Sequence, residues 1–91
     1  MAKVYIVTHE QTEDKDIFGR KEIGVVCSDK KTAVKAINLA MSQIINSNKI
    51  YATSTWGKNY EGNWSKSVSY HGCISETDFV SEFAIVEKEV I

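Results

Sequence analysis

Apolar and polar residues alternate in two short segments at the start of the chain. Residues 3–9 are rich in β-branched and aromatic side chains, and residues 22–27 repeat this composition after a polar loop. Alternation of this kind is typical of strands, whose successive side chains point to opposite faces. The loop between the segments is too short for a helical crossover, so the two strands are predicted to pair antiparallel. In the second strand, strict alternation predicts one face with Ile23, Val25 and Cys27 and another with Gly24 and Val26.

The next segment changes to a three- or four-residue period and predicts an amphipathic helix. Ser28 is a favourable N-cap, and the pattern continues to about Asn46. The expected buried stripe consists of Val34, Ile37, Met41 and Ile44, widened by Ala33, Ala36 and Ala40. We therefore expect this helix to pack on one face of a sheet.

The second half of the chain predicts strands again. Residues 50–56 and 64–74 are predicted to form a long hairpin around the Gly- and Asn-rich turn 57–63, and residues 83–90 a last strand. The expected fold is α+β, with an antiparallel sheet of four to five strands, one main helix on one face and the element order ββαβββ. Residues 1–91 are expected to be a single domain, since neither half could bury a core alone.

Trp56, Tyr60 and Trp64 are the main candidates for partner binding. They surround one predicted turn, and rigid aromatic side chains of this kind are frequent anchors in protein interfaces. In the structural alternative, the two tryptophans pair across the hairpin and pack on the sheet. A third interpretation is stacking on single-stranded nucleic acid, although only Lys58 and Lys66 lie near these aromatics in the sequence.

Glu13, Asp14 and Asp16 are the acidic residues of the predicted loop 11–20. Their spacing does not match a calcium-binding loop, so no metal site is predicted. We expect either a solvated loop or an acidic surface that contributes to partner binding.

Histidine and cysteine residues are the only candidates for covalent or acid–base chemistry. His71 and Cys73 lie two residues apart on a predicted strand, and His9 precedes Glu10. A reactive thiol needs a group that lowers its pKa, and only His71 is close in sequence. Both Cys27 and Cys73 are therefore expected as buried free thiols, and a protein without enzymatic activity or cofactor is predicted.

The net charge of −1 argues against a protein that binds duplex DNA by neutralising phosphates. No apolar run approaches the ~20 residues of a membrane helix, and the start of the chain lacks the features of a secretory signal. A cytoplasmic protein without a membrane partner is expected, and the oligomeric state stays open.

The first 40 or so residues carry a resemblance. The strand Lys3-Val4-Tyr5-Ile6-Val7-Thr8-His9-Glu10, the later Ile23-Gly24 pair and the helix start Ser28–Ala33 resemble a family of short, uncharacterised bacterial and phage proteins. That family has the patterns K-V-Y-x-V-x-H-E, I-G and S-x-x-x-A. The resemblance implies an accessory protein of a phage or mobile element. The small size, the lack of a catalytic constellation and the aromatic hairpin beside acidic loops lead us to expect a non-enzymatic protein that binds and inhibits a host protein. The alternative is a module for nucleic acid or a small ligand.

Overall fold

The computed structural model describes residues 2–13, 20–73 and 77–90. One helix lies against an antiparallel sheet, as predicted. The elements in chain order are β1 (Ala2–Glu13), β2 (Arg20–Cys27), α1 (Lys30–Ser47), β3 (Lys49–Thr53), β4 (Gly57–Lys58), β5 (Trp64–His71) and β6 (Asp78–Val90). The sheet has more strands than the four to five expected, because the two residues of β4 pair with β5 inside the predicted turn.

The two longest strands form the centre of the sheet. The strand order is β2-β1-β6-β5-β3, with β4 also paired to β5. Strand β1 pairs with β6 without interruption from Ala2↔Val90 to Glu13↔Phe79. It extends beyond its predicted end at residue 9, since pairing with β6 provides hydrogen-bond partners for the backbone of a polar segment. The same pairing starts β6 at Asp78, five residues before the predicted strand.

A β-bulge in β2 changes the predicted faces of this strand. Val25 lies opposite Val7 and Ile23 lies opposite Thr8, so Gly24 is an extra residue without an opposite partner. Adjacent residues of β1 face opposite sides of the sheet. The extra residue therefore places Ile23 on the face opposite to Val25, and the prediction that these two share a face is wrong.

The helix begins one residue later than predicted. Asp29, not Ser28, is the N-cap, and its carboxylate accepts hydrogen bonds from the backbone N–H of Thr32 at 2.7 Å and from the Thr32 hydroxyl at 3.0 Å. These bonds lower the pKa of the Asp29 carboxyl, the backbone bond most. Asp29 thus accepts hydrogen bonds from two donors of the first helical turn and has the capping role that was predicted for Ser28.

The core lies between α1 and one face of the sheet. Ile37 and Met41 of the predicted stripe are buried, and Val34 and Ile44 pack against the core while half-buried. The sheet supplies Val7, Val68, Phe83 and Ile85 to this core. On the other face, Ile6 lies between Val26 and Val86 in register, and no described helix covers that row. We call the face that α1 does not cover the open face, although the small side chains of Thr8 and Ala84 on it are buried.

Residues 2–13, 20–73 and 77–90 include no helix with the length and apolar content of a membrane span.

Candidate interaction site at the hairpin turn

The two tryptophans stack on each other across the hairpin. The ring centroids of Trp56 and Trp64 are 5.8 Å apart, and the ring planes are nearly parallel at 6°. Both rings are half-buried and pack against the hydrophobic core. Strand β4 brings them together, because Lys58 pairs with Trp64 and closes the hairpin immediately after Trp56. This is the alternative in which the two tryptophans pair across the hairpin and pack on the sheet, so that their rings stabilise the hairpin.

Two lysines lie over this aromatic pair. The Lys30 ammonium lies 5.2 Å from the ring centroid of Trp64, and the Lys66 ammonium lies 6.0 Å from that of Trp56. Lys30 comes from the first turn of α1, so this contact also joins the helix to the hairpin. The tryptophan rings thus contact each other and the two lysines. These contacts leave less ring surface for stacking on a nucleobase.

Asn59 organises the turn that follows β4. Its side-chain oxygen accepts hydrogen bonds from the backbone N–H groups of Glu61 and Asn63, each at 3.0 Å. Its side-chain nitrogen donates to the Glu82 carboxylate of β6 at 3.0 Å. Gly62 completes the turn with a φ of 81°, a conformation that side chains other than glycine rarely adopt. The turn is therefore fixed to the sheet and has a defined shape.

Tyr60 lies at the tip of this turn with 86% of its surface exposed. It is the most exposed of the large apolar and aromatic side chains of the described residues. A cleft of about 340 Å³ lies beside the turn, lined by Tyr5, Lys30, Lys58, Asn63, Trp64 and Glu87. We call the turn 59–63 and this cleft the turn site. It presents one exposed aromatic ring together with lysines and a carboxylate.

Glu13, the described residue of the predicted acidic surface, lies away from the turn site. Glu13 lies opposite Phe79, which in turn lies opposite Tyr70 of β5. The distance along β5 from Trp64 to Tyr70 is about 20 Å at ~3.3 Å per residue. Glu13 is thus at the other end of the sheet, and Asp14 and Asp16 lie outside the described residues.

Cys73 is not the buried strand residue that the sequence suggested. Strand β5 ends at His71, and the Gly72 N–H donates to the Thr77 carbonyl at 2.9 Å, which turns the chain away from the sheet. Cys73 is exposed in this turn, whereas Cys27 is buried as predicted. Cys73 therefore no longer shares a strand face with His71.

His71 contacts an aspartate that sequence reasoning did not select. The His71 Nδ1 lies 2.8 Å from the Asp78 carboxylate, which also accepts a hydrogen bond from the Tyr51 hydroxyl at 3.0 Å. These bonds, first that of His71, lower the pKa of the Asp78 carboxyl. The pair joins the start of β6 to β5 and β3. No group of three potential metal ligands occurs in the described part of the chain.

A buried polar network crosses the helix-facing side of the sheet, and it was missed in the sequence. The Ser81 hydroxyl is hydrogen-bonded to His9 Nε2 and to the Tyr70 hydroxyl, both at 3.0 Å. Gln11 donates to the Tyr70 hydroxyl at 2.8 Å. A serine–histidine contact is also a feature of nucleophilic catalysis, but the exposed fraction of Ser81 is 0%, so a substrate has no access to its hydroxyl. The sequence had no signal for Ser81, because the last strand was predicted to begin only at residue 83.

The network makes stability depend on pH through His9. Burial disfavours the charged ring and lowers the pKa of His9 below its ordinary value, while the nearby Glu22 carboxylate acts in the opposite direction. The unfolded chain consequently takes up the proton first as the pH falls. The stabilising contribution is present above the ordinary value of about 6.5 and is lost as the pH falls through the lower pKa of the folded state.

We expect the free energy of unfolding to decrease in this interval for the parent protein and to change less for His9→Gln. Urea melts at several pH values measure this difference. The lowered carboxyl pKa values of Asp29 and Asp78 act in a separate interval, below their ordinary value of 3.8. Equal pH dependence of the two proteins above this lower interval would contradict the assignment to His9.

No family model, curated protein or solved structure matches the chain.

Proposed function

We propose that the protein is a non-enzymatic binding module that contacts another protein through the turn site. The observation that carries this proposal is the exposure of Tyr60 on a turn that Asn59 and Gly62 hold in one shape. An exposed aromatic ring gains free energy when a partner buries it. A turn that is already ordered loses little conformational entropy on binding, so more of this gain appears as affinity.

The surroundings of Tyr60 fit an interface with a protein. Tyrosine is enriched among the residues that dominate binding energies, because its ring is apolar and its hydroxyl forms hydrogen bonds. Lys58 and Glu61 lie on either side of it and are exposed, as polar residues are at the rim of many interfaces. The stacked tryptophans stabilise the hairpin that carries the turn, and they need not contact the partner themselves.

The chemistry of the described residues also favours binding over catalysis. The serine–histidine contact is closed to solvent on the serine side. The His71–Asp78 pair is accessible, but the hydrogen bond described for the His71 ring joins it to a carboxylate and not to a hydroxyl or thiol nucleophile. The resemblance to short bacterial and phage proteins suggests the biological setting, an accessory protein that binds and inhibits a host protein.

Site-specific crosslinking tests the proposal. A photoreactive phenylalanine analogue is placed at position 60, and the same analogue at position 39 of α1 is the matched control. Leu39 is 64% exposed and does not belong to the turn site. We expect a host protein that crosslinks to position 60 and not to position 39. An excess of the parent protein should prevent this crosslink, and an excess of Tyr60→Ala should not.

Two results would overturn the proposal. The first is the absence of a crosslink specific to position 60 under conditions where the labelled protein is folded. The second is a crosslink that parent and Tyr60→Ala suppress equally well, which would show that Tyr60 does not contribute to the affinity.

The lysines of the cleft favour a second candidate function, the binding of an anionic ligand such as single-stranded nucleic acid. Lys30 and Lys58 line the cleft next to Trp64, and their charges would attract a phosphate group. Glu87 in the same cleft opposes this. Titration with a single-stranded oligonucleotide at low salt, followed by tryptophan fluorescence, separates the two functions. Quenching that is lost with Lys58→Ala would favour nucleic acid, whereas an unchanged signal supports the protein-binding proposal.

A further inference from the structure

Strand β2 forms one edge of the sheet and is unusually apolar for that position. It pairs with β1 on one side, with Gly24 as the bulge, and no described residue pairs with its other side. Ile23 is 72% exposed and Val26 58% exposed, and Val25 is also exposed. A free edge with unpaired N–H and C=O groups and apolar side chains is a template for the addition of another strand.

The bulge gives β2 a spacing that suits pairing with itself. Because Gly24 is an extra residue, Ile23 and Val26 lie on the same, open face although they are three positions apart. When two copies of β2 pair antiparallel around a two-fold axis between residues 24 and 25, Ile23 of one copy lies opposite Val26 of the other. Both pairs then lie on one face, where cross-strand apolar contacts stabilise a sheet.

The described charge of β2 does not oppose this register. With Ile23 opposite Val26, Glu22 of one copy lies opposite Cys27 of the other, so the two Glu22 carboxylates are not brought opposite each other.

We propose that the protein forms a symmetric dimer in which the β2 strands of two copies pair antiparallel, with Ile23 opposite Val26. The two sheets then join into one continuous sheet. The open-face row formed by Ile6, Val26 and Val86 continues into the second copy and meets its Ile23. The surface is isologous, so a single substitution changes the interface twice. This inference does not depend on Tyr60, since the turn 59–63 follows β4, which pairs with β5, whereas β2 is the strand at the other end of the sheet order.

Sedimentation velocity over a range of protein concentrations tests the dimer. The parent should shift towards twice the mass of the chain as its concentration rises. Ile23→Lys and Val26→Glu each place a charge opposite an apolar side chain and should each weaken dimerisation by roughly tenfold or more. Leu39→Lys is the matched control, since it adds the same charge at an exposed leucine of α1 and should dimerise like the parent.

The double variant Ile23→Lys/Val26→Glu tests the register. In the proposed dimer, each introduced lysine lies opposite an introduced glutamate, so the double variant should dimerise more strongly than either single variant. Hydrogen exchange gives a second readout that does not depend on mass. Amide protons of β2 should exchange more slowly as the concentration of the parent rises, and those of β3 should not.

Several results would overturn the inference. They are a parent that is monomeric at every concentration, a dimer that survives both single substitutions, and equal loss of the dimer in Leu39→Lys. A double variant weaker than both single variants would show that the register is wrong. Slower exchange of β2 only when another protein is added would assign this edge to a different partner.

Discussion

Replacement of Ile37 by alanine should lower the free energy of unfolding by about 2–5 kcal/mol, the usual cost of truncating a fully buried aliphatic side chain. The exposed fraction of Ile37 is 0%, and it lies at the centre of the stripe that α1 packs on the sheet. The loss has two parts, the apolar surface that is no longer buried and the cavity that the sheet below cannot fill. Equilibrium urea denaturation measures it.

Leu39→Ala is the control for this experiment. It makes the same kind of truncation two residues further along α1, where the side chain is exposed, and alanine favours helices. Its stability should stay within about 0.5 kcal/mol of the parent. Equal destabilisation by both substitutions would contradict the way α1 is packed on the sheet.

Replacement of Phe83 by alanine should lower the free energy of unfolding by about 3–5 kcal/mol. Phe83 is buried on β6, which lies between β1 and β5, and its ring stacks on His9 with a centroid distance of 4.4 Å. Its loss removes core packing and opens the environment of the histidine. The pKa of His9 should therefore move back towards its ordinary value, because less burial opposes the charged ring.

Val80→Ala is the matched control, an apolar truncation on the same strand at an exposed position. It should have little effect on stability or on the titration of His9. Phe83→Leu, which keeps most of the apolar volume, provides a milder variant if the alanine variant does not fold. Two results for Phe83→Leu would together contradict the described core. They are an unchanged pKa of His9 and a loss of stability no larger than that of Val80→Ala.

The elements that could be predicted from the sequence are those determined by local patterns. The helical period of Val34, Ile37, Met41 and Ile44 gave the position and the buried face of α1, since burial follows the period of the helix. The alternation in residues 3–9 and 64–71 similarly indicated strands. The antiparallel pairing of β1 and β2 followed from the length of the loop between them.

The missed features depend on contacts between distant parts of the chain. The polar residues 10–13 form a strand only because β6 pairs with them, and nothing within the segment shows this. The bulge at Gly24 is a property of the register between β1 and β2, so strict alternation assigned Ile23 to the wrong face. Ser81 resembles any solvent-facing serine until the fold brings His9 and Tyr70 to it.

The candidate site could be predicted only in part from the sequence, because it too depends on contacts between distant residues. The clustering of Trp56, Tyr60 and Trp64 around one turn was visible, because they are close in the chain. Their division into a stacked supporting pair and one exposed ring was not, since it depends on packing against the core. The distance of Glu13 from this cluster was also not visible, since it depends on the pairing of β1 with β6.

The central claim, that Tyr60 anchors a protein partner, is tested most directly by the affinity of Tyr60→Ala. The partner is the protein that crosslinks to position 60, purified and titrated calorimetrically with the parent, Tyr60→Ala and Leu39→Ala. We predict that Tyr60→Ala weakens binding by about thirty-fold, or ~2 kcal/mol, with unchanged thermal stability, while Leu39→Ala binds like the parent. Binding of Tyr60→Ala with the affinity of the parent would contradict the account.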